Sequence, residues 1–371
     1  MRIIVMKFPY TNPIFCEKIC AMAEQLAYDV EGIVLLSSKD ETTSVKNYRV
    51  CSLKDVFDLS WDAAVLNCDE KIFNDIVPRM VNLKIGAADK FKSCFWLLKQ
   101  FMTKKYADCA DPAIQETIEY WKTNELSVFN QHIPLDRGTF DKIFFDETCD
   151  LVYVYFKTVG GEWRKMYFPP NDDKIITYNG EKVLANLLFE QCPTSPHLYT
   201  KDEHDVHADD VLIDAGVAEG NFAIKYVDIC SEIYLFEPDK KWVEPLNHTF
   251  KDYRDKVKII PKFVSDFTKD NVTTIDDALP DLRGKNIFLK MDVEGAEPDA
   301  LRGAKNLLAN NRVRASVCTY HHAGDLIEVK SLFQKYGYKT STSNCYMVFI
   351  YDSEIFDTAD FRKGVVYAKN F

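Results

Sequence analysis

A short glycine-containing turn constrains the fold of this chain more than any other feature. The residues run Val211-Leu-Ile-Asp-Ala-Gly-Val-Ala-Glu-Gly-Asn-Phe222, so an apolar stretch carries Asp214 and is followed by Gly216 and Gly220. This pattern predicts a buried strand, a tight turn and a helix, the place where open α/β sheets hold nucleotide-like ligands. Glu237 follows a second apolar run about 20 residues further on, where such folds bind a ribose.

The turn excludes two common classes of nucleotide ligand. A dinucleotide site has glycine at the second and third positions of Gly-x-Gly-x-x-Gly, but this chain has Ala218 and Asn221 there, and their side chains crowd the path of a pyrophosphate. A phosphate-binding loop has Lys and then Ser or Thr after its second glycine, whereas this chain has Asn221-Phe222. A site that binds ribose but little phosphate is left, and S-adenosylmethionine (SAM) fits it.

Each polar or glycine residue of the turn has an expected role towards such a ligand. We expect Gly216 and Gly220 to let the backbone approach its amino-acid part. Asp214 or Glu219 would accept a hydrogen bond from its ammonium group, and Glu237 would accept from both ribose hydroxyls. The alternative is an ordinary strand, turn and helix with a capping glycine.

Further carboxylates follow two later predicted strands. Asp266 comes just after the apolar run 257–260 and the segment Pro261-Lys-Phe-Val-Ser265, where it can accept from an adenine amino group. The segment Asn286-Ile-Phe-Leu-Lys-Met-Asp-Val-Glu-Gly-Ala-Glu297 leads from an apolar run into several acidic residues, with Pro298 at a helix start. Carboxylates at this end of a parallel strand project into the ligand crevice, although acidic residues also favour exposed helix N-termini.

Taken together, these motifs resemble the FkbM family of SAM-dependent methyltransferases. The resemblance covers roughly residues 190–371 and keeps the order of its motifs, which are Asp214-Ala-Gly216, Phe236-Glu-Pro238, Val264-Ser-Asp266, Leu289-Lys-Met-Asp-Val-Glu-Gly-Ala-Glu297 and Leu301-Arg-Gly-Ala304. It implies an α/β fold with a Rossmann-like class I methyltransferase sheet of seven strands, one of them antiparallel. It also implies O-methylation, commonly of sugar hydroxyls in bacterial glycans and sometimes of secondary metabolites.

SAM is the cofactor that this resemblance implies. The residues expected to bind it are Asp214, Gly216, Glu219, Gly220, Asn221, Glu237, Pro238, Ser265, Asp266 and Asp292.

Methyl transfer to a hydroxyl also needs a group that removes the hydroxyl proton. Two adjacent histidines, His321 and His322, follow another predicted strand and reach the same edge of the sheet as Asp292. We predict His321 as the general base, with His322 as the next candidate, and we expect Lys290, Glu294 or Asp292 to assist at the acceptor. A polar loop without a catalytic role is the alternative for the two histidines.

No metal is expected from the sequence, but a metal-assisted version stays open. Asp292, Glu294, His321 and His322 offer carboxylate and imidazole ligands that could converge on a divalent ion. Nothing in their spacing enforces such a site.

Composition narrows the partners and the compartment. The chain has 371 residues, enough for two domains, and its net charge of −11 argues against nucleic acid or an anionic membrane as the main partner. Its eleven cysteines form no Cys-x-x-Cys pair, which favours reduced thiols and a cytoplasmic location. No apolar run approaches the length of a membrane span. We expect a glycan or small-molecule acceptor, and a homo-oligomer is possible.

The N-terminal half predicts a separate, smaller domain. Strands at 2–6, 30–36 and 63–66 alternate with helices at 14–28 and 53–57, which is typical of a parallel α/β domain. Its first turn contains no glycine, so we expect a structural, acceptor-binding or partner-binding role and assign this domain to residues 1–108.

A connector at 109–190 would join it to the methyltransferase domain at 191–371. The connector is predicted to contain a helix from Asp111-Pro112 to Asn124 and a β-hairpin at 151–168, whose aromatic residues could line an acceptor groove or simply pack against the domain. Just after it, His197 or Tyr199 could close over the cofactor, although a core or surface position is more usual for a single histidine.

The end of the chain is predicted to complete the sheet. A helix is expected at 325–336, followed by strands at 338–342 and 346–351 that would form the antiparallel closing hairpin, with 365–368 as a final strand.

Two other classes of function stay open. One is a non-catalytic SAM- or nucleoside-binding regulator, and the other is an NAD-dependent oxidoreductase, which the turn disfavours.

Overall fold

The protein consists of two compact units. The computed structural model describes residues 1–8, 13–37, 45, 48–68, 70–130, 141–172, 175–178, 181–184 and 189–371. Unit 1 comprises Met1–Gln131 and Val348–Phe361, and unit 2 comprises His132–Met347 and Arg362–Phe371. Within the described residues, no helix is long and apolar enough to cross a membrane.

The two units divide the predicted connector at 109–190 between them. Its helix, Pro112–Tyr120, lies in unit 1, because the following Trp121 is buried there and stacks on Phe361. The predicted hairpin at 151–168 is present and lies in unit 2. The chain is therefore organised as two units rather than the three predicted segments.

Unit 1 is built on the parallel α/β sheet that the N-terminal pattern predicts. The strand order is β3-β2-β1-β4-β5, and each strand is parallel to its neighbours. A 3₁₀ helix occupies the predicted short helix at Leu53–Phe57. The other elements are β1 Arg2–Lys7, α1 Pro13–Gln25, β2 Asp29–Leu35, β3 Val50–Ser52, β4 Ala63–Leu66, α2 Glu70–Asn82, β5 Phe91–Ser93, α3 Cys94–Lys105 and α4 Pro112–Tyr120.

Unit 2 is built on a seven-stranded sheet with one antiparallel strand, as predicted. Its strand order is β14-β13-β12-β17-β18-β20-β19, and only β20 runs against its neighbours. The elements are β6 Asp141–Lys142, β7 Phe144–Asp146, β8 Leu151–Lys157, β9 Trp163–Phe168, β10 Ile175–Tyr178, β11 Glu181–Leu184, β12 Val211–Ala215, α5 Asn221–Tyr226, β13 Glu232–Phe236, α6 Lys240–Thr249, β14 Val257–Ile260, β15 Phe263–Val264, β16 Val272–Thr273, α7 Ile275–Ala278, β17 Asn286–Met291, α8 Glu297–Arg302, α9 Lys305–Asn310, β18 Arg312–Cys318, α10 Asp325–Lys335, β19 Lys339–Thr342 and β20 Val365–Lys369.

The closing strands correct one prediction. β19 pairs with β20, so the segment 346–351 is not the second strand of the closing hairpin. Within this segment, Val348 is fully buried in the core of unit 1, and its N–H donates to the Val128 carbonyl. A short helix, α11 (Ile355–Thr358), follows in the same unit. The apolar pattern of 346–351 therefore reflects burial in unit 1 rather than strand pairing in unit 2.

The central strands of the large sheet are buried along almost their whole length. β12 is buried at all five positions, and β17 and β18 are each exposed only at their first residue. Parallel strands covered on both faces have such continuous apolar sequences. The polar residues Asp214 and Lys290 are exceptions within these runs, and both lie near the carboxyl ends of their strands.

A half-buried histidine in unit 2, His204, predicts a pH dependence of stability. The His204 ring packs against Phe288 and Tyr367, and its Nε2 lies 3.1 Å from both the Ala315 carbonyl and Ser316 Oγ. Burial, and then the charges of nearby Arg314 and Lys369, lower the pKa of His204 to about 4. Between pH 6.5 and 4, His204 therefore binds a proton in the unfolded chain but not in the folded protein, so stability falls as the pH drops through this range.

We expect His204→Gln to remove this component. Between pH 7 and pH 5 the wild-type protein should lose roughly 2 kcal/mol of unfolding free energy through this residue, and the variant should not. Urea unfolding at the two pH values measures the difference. His207→Gln, a change at an exposed histidine three positions away, is the control and should behave as the wild type. An equal pH-dependent loss in wild type and His204→Gln would contradict the assignment.

Candidate functional site

The predicted site residues come together at one edge of the large sheet. Asp214 lies near the end of β12, Glu237 directly follows β13, Asp292 directly follows β17, and His321 lies just beyond β18. These four strands are parallel neighbours, so their carboxyl ends meet at the same edge, where open α/β sheets bind ligands.

A cavity of about 550 Å³ opens at this edge. Five residues predicted from the sequence line it: Gly216, Glu237, Pro238, Asp292 and Glu294. The sequence analysis missed the apolar part of the lining, which includes Trp242, Phe263 and Val264. Trp242 lies on α6 and Phe263 on a two-residue strand, and neither carries a motif that marks it as a ligand contact.

The carboxylate of Glu237 is held rigidly in the cavity wall. Its Oε2 accepts a hydrogen bond from the backbone N–H of Ala218 at 2.7 Å, and its Oε1 accepts from that of Asp239 at 2.9 Å. The residue is 6% exposed. The turn after β12 and the start of α6 thus orient one carboxylate towards the cavity.

Glycine is required at the two positions of the turn for different structural reasons. Gly216 has φ +77°, and a Cβ there would lie 1.6 Å from the Asp292 carbonyl oxygen, so only glycine lets the turn approach the end of β17. Gly220 has φ +83°, and a Cβ there would meet Leu246 of α6 at 2.8 Å. Gly220 therefore permits close packing of the turn on α6, whereas we had expected it to face the ligand.

Asp214 and Lys290 form a buried ion pair below the turn. The Lys290 Nζ lies 3.1 Å from Asp214 Oδ1 and also donates to the Gly216 carbonyl. Burial lowers the pKa of Lys290, but the carboxylates of Asp214 and Asp292 raise it more, so the ammonium form persists. Neither residue is among those that line the cavity. The structure therefore places both where they support the turn, rather than at the predicted ligand or acceptor contacts.

Asp292 is the centre of a hydrogen-bonded cluster. Tyr199 Oη donates to its Oδ2 at 2.7 Å, His197 Nε2 lies 3.1 Å from the same oxygen, and Tyr320 Oη donates to its Oδ1 at 3.1 Å. Burial raises the pKa of Asp292, but His197, Lys290 and the other nearby cations hold it well below its usual range. Asp292 is therefore a fixed carboxylate at the end of the cavity.

His197 and Tyr199 are both buried beside Asp292, and neither is among the residues that line the cavity. Burial opposes protonation of His197, yet the carboxylates of Asp292 and Glu190 raise its pKa to about 9. The contacts of His197 and Tyr199 with Asp292 span 95 and 93 residues. They connect the segment that precedes β12 to the residue that follows β17.

His321 lies among three carboxylates. Its Nδ1 is 3.2 Å from Glu297 Oε1, and its Nε2 is 3.4 Å from Glu294 Oε2 and 3.6 Å from Asp292 Oδ1. Burial lowers the pKa of His321, but Glu294, Glu297 and Asp292 raise it to about 10. A protonated imidazole cannot accept another proton, so this arrangement does not favour the predicted role of His321 as general base.

The remaining predicted residues lie around the cavity rather than in its described lining. His322 is exposed, and its ring lies against Gly295. Asp266 is exposed, and the Ser265 carbonyl lies against Gly303. Two further predicted residues interact with each other, since Asn221 Nδ2 donates to Glu219 Oε1 at 3.1 Å. The neighbouring Phe263 and Val264, rather than Ser265 and Asp266, reach the cavity.

The sheet and its carboxyl-edge cavity define unit 2 as a Rossmann-like α/β domain. Residues 173–340 match the family model described as the methyltransferase FkbM domain. The match confirms, for this segment of the chain, the resemblance that the sequence motifs indicate. The search of curated proteins found no match.

Several solved structures are similar to the chain at low identity. The methyltransferase FkbM from Methylobacillus flagellatus is 13% identical, with a TM-score of 0.41, over 99% of this chain and 89% of that one. The fibrillarin pre-rRNA processing protein of Methanococcus jannaschii is 12% identical, with a TM-score of 0.33, over 62% and 96%. SMU.1697c from Streptococcus mutans, solved in complex with SAH, is 12% identical, with a TM-score of 0.29, over 45% and 94%.

Proposed function

We propose that the protein is a SAM-dependent O-methyltransferase that acts on a hydroxyl group of a sugar in a glycan or polysaccharide. The observation that carries this proposal is the Glu237 carboxylate, which two backbone N–H groups fix in the wall of a cavity of about 550 Å³. A cavity of this volume is in the range of small-molecule sites. The FkbM domain match supports the transfer of a methyl group.

The residues present fit the parts of SAM. Glu237 would accept from the ribose hydroxyls, since its two oxygens keep lone pairs beyond the two backbone bonds. Trp242, Phe263 and Val264 offer the apolar surface that a purine requires. The Gly216 turn would approach the amino-acid part. When bound, SAM supplies a methyl group that is already activated by its sulfonium.

The chain must then orient the acceptor hydroxyl and take up its proton. As the hydroxyl oxygen bonds to the methyl carbon, the bond from that carbon to sulfur breaks, and the hydroxyl proton must leave. Asp292 and Glu294 line the cavity and carry carboxylates close to His321. We assign acceptor binding to this end of the cavity, with a carboxylate rather than His321 as the better-placed proton acceptor.

We also infer that the protein works in a reducing compartment such as the cytoplasm. All eleven cysteines are thiols rather than disulfides, and seven of them are buried. Burial raises the pKa of the thiols of Cys20 and Cys94, so these thiols are poorly reactive.

The cofactor assignment is tested at Glu237. We expect Glu237→Ala to weaken the binding of S-adenosylhomocysteine (SAH) by at least about tenfold, because each lost hydrogen bond to a charged group contributes about 1.5–3 kcal/mol. Titration calorimetry measures this change, and thermal unfolding checks that the variant is folded. The control is Glu244→Gln, a change at an exposed glutamate of α6, and this variant should bind SAH as the wild type does.

Two outcomes would overturn the assignment. Binding of NAD without binding of SAH by the wild-type protein would indicate an oxidoreductase site. Unchanged SAH affinity in a folded Glu237→Ala variant would place the nucleoside elsewhere.

The acceptor class is tested separately, by incubation with labelled SAM and glycan fractions of the source cell. Label in a small metabolite rather than in a glycan would replace the sugar with a secondary metabolite.

A further inference from the structure

We propose that Asp292, Glu294 and His321 bind a divalent cation of the Mg²⁺ or Mn²⁺ class beside the cavity. The three ligand atoms are Asp292 Oδ1, Glu294 Oε2 and His321 Nε2. All three residues lie in unit 2, and Asp292 and Glu294 line the cavity. Asp292 and His321 form, together with Glu297, a cluster whose ligand atoms lie within 4.8 Å of one another.

The spacing of these atoms suits a shared ion. The Nε2 of His321 lies 3.4 Å from Glu294 Oε2 and 3.6 Å from Asp292 Oδ1, both longer than an ordinary N–H···O hydrogen bond. Two ligands that each bind one ion at about 2.1 Å are about 3.0–3.4 Å apart at octahedral or tetrahedral angles. The Glu294 side chain is 85% exposed, so it can move to bring its carboxylate to an ion held by Asp292 and His321.

The opposite nitrogen of His321 is already oriented as metal sites require. Its Nδ1 faces Glu297 Oε1 at 3.2 Å, and that oxygen also accepts from the Val293 N–H at 2.8 Å. A histidine that binds a metal through one nitrogen typically donates from the other to a carboxylate, which fixes its tautomer and its ring. Glu297 is therefore assigned to positioning His321 rather than to the ion itself.

The backbone around His321 is fixed as well. Arg362 Nη1 donates to the carbonyls of His321 at 2.6 Å and Tyr320 at 3.1 Å, and Arg362 is buried. Tyr320 in turn donates to Asp292 Oδ1, so one side of the cluster is tied to the other. A preorganised ligand set of this kind loses little conformational entropy when an ion binds.

A buried carboxylate oxygen provides an independent observation beside this ligand set. Glu297 is 0% exposed, and its Oε2 has no hydrogen-bond partner among the described residues. Its other oxygen faces His321, which also lies near the carboxylates of Asp292 and Glu294. Burial of a carboxylate oxygen without a hydrogen bond is costly, and a nearby cation would offset part of that cost.

The ligand set selects the kind of ion and suggests its use. Two carboxylates and one imidazole favour hard ions such as Mg²⁺ and Mn²⁺ over thiolate-seeking metals. An octahedral ion with three protein ligands keeps three positions for other oxygens, so it could hold two neighbouring hydroxyls of an acceptor. The ion would lower the pKa of a coordinated hydroxyl and allow its proton to pass to water. This use, unlike metal binding itself, rests on the proposed methyl transfer.

The experiment is Mn²⁺ binding to the full chain after treatment with a chelator and removal of the chelator. Calorimetry and electron paramagnetic resonance count and characterise bound Mn²⁺, and Mg²⁺ should compete for it. We expect one Mn²⁺ per chain in the wild type and a 10- to 100-fold weaker affinity in Glu294→Gln. Because the Glu294 side chain is 85% exposed, this variant should fold. Glu244→Gln is the matched control and should bind Mn²⁺ as the wild type does.

A wild-type protein that binds no Mn²⁺ at millimolar concentration would overturn the proposal, as would equal affinity in the wild type and Glu294→Gln. Glu297→Gln should weaken Mn²⁺ binding about tenfold, since it disturbs the orientation of His321 without removing a ligand. SAH titration of the same samples separates this result from the proposed function. A protein that binds Mn²⁺ but not SAH would support the ion site and contradict the proposed methyltransferase function.

Discussion

Replacing Asp292 with asparagine is expected to reduce methyl transfer by about 10²–10³-fold, a loss typical for a preorganised polar group at a reacting centre. The amide has the shape of the carboxylate but not its charge. Tyr199 and Tyr320 both donate to Asp292, and His197 lies beside it, so the substitution removes the negative charge that these groups organise. SAH binding should change less than in Glu237→Ala, because Glu237 is the residue to which we assign the ribose.

Transfer of label from SAM to a glycan fraction measures the turnover, and calorimetry with SAH measures cofactor affinity in the same preparation. Asp255→Asn, at an exposed aspartate after α6, is the matched control and should keep the wild-type rate. A folded Asp292→Asn variant that retains more than half of the wild-type turnover would show that Asp292 has no role in the transfer step.

The local pattern of the sequence was sufficient to predict which strands carry carboxylates at their ends. Asp214, Glu237 and Asp292 each follow or end an apolar run, and parallel strands bring such ends to one edge. The sheet topology supports this prediction directly, since β13, β12 and β17 are neighbours. The existence and position of the cavity therefore follow from short-range signals.

The partners of those carboxylates could not be predicted in the same way. His197 and Tyr199 reach Asp292 across more than ninety residues of sequence. No periodicity links the two segments, and only the folded chain brings them together. The same limit applies to 346–351, whose apolar residues resemble a strand but are needed in the core of unit 1. Burial requirements alone do not say which core a segment joins.

The pair Asp214–Lys290 is an intermediate case. The two residues lie at matching positions of β12 and β17, and the register of the sheet pairs them directly. Sequence reasoning assigned Asp214 to the cofactor and Lys290 to the acceptor, because each stands near a strand end. Comparing the positions of the two residues within the predicted parallel sheet would have suggested that they lie close together. Their ion pair would then follow, since a buried charge needs a partner.

Loss of either partner of this pair should cost about 3–5 kcal/mol of unfolding free energy. In Lys290→Met, the fully buried Asp214 would lose its only ion-pair partner among the described residues, and neither of its oxygens has a hydrogen bond there. In Asp214→Asn, the buried ammonium of Lys290 would lose its closest carboxylate. Urea unfolding followed by far-ultraviolet circular dichroism measures both changes.

The double variant Asp214→Asn/Lys290→Met distinguishes stability from function. Removing both charges should recover most of the stability, because replacing a buried ion pair by neutral groups of similar volume is often nearly neutral. It should not recover SAH binding, since Lys290 also donates to the Gly216 carbonyl and holds the turn that faces the cavity. A double variant no more stable than either single variant would mean that the two residues stabilise the fold independently. Wild-type SAH affinity in the double variant would mean that the turn keeps its shape without Lys290.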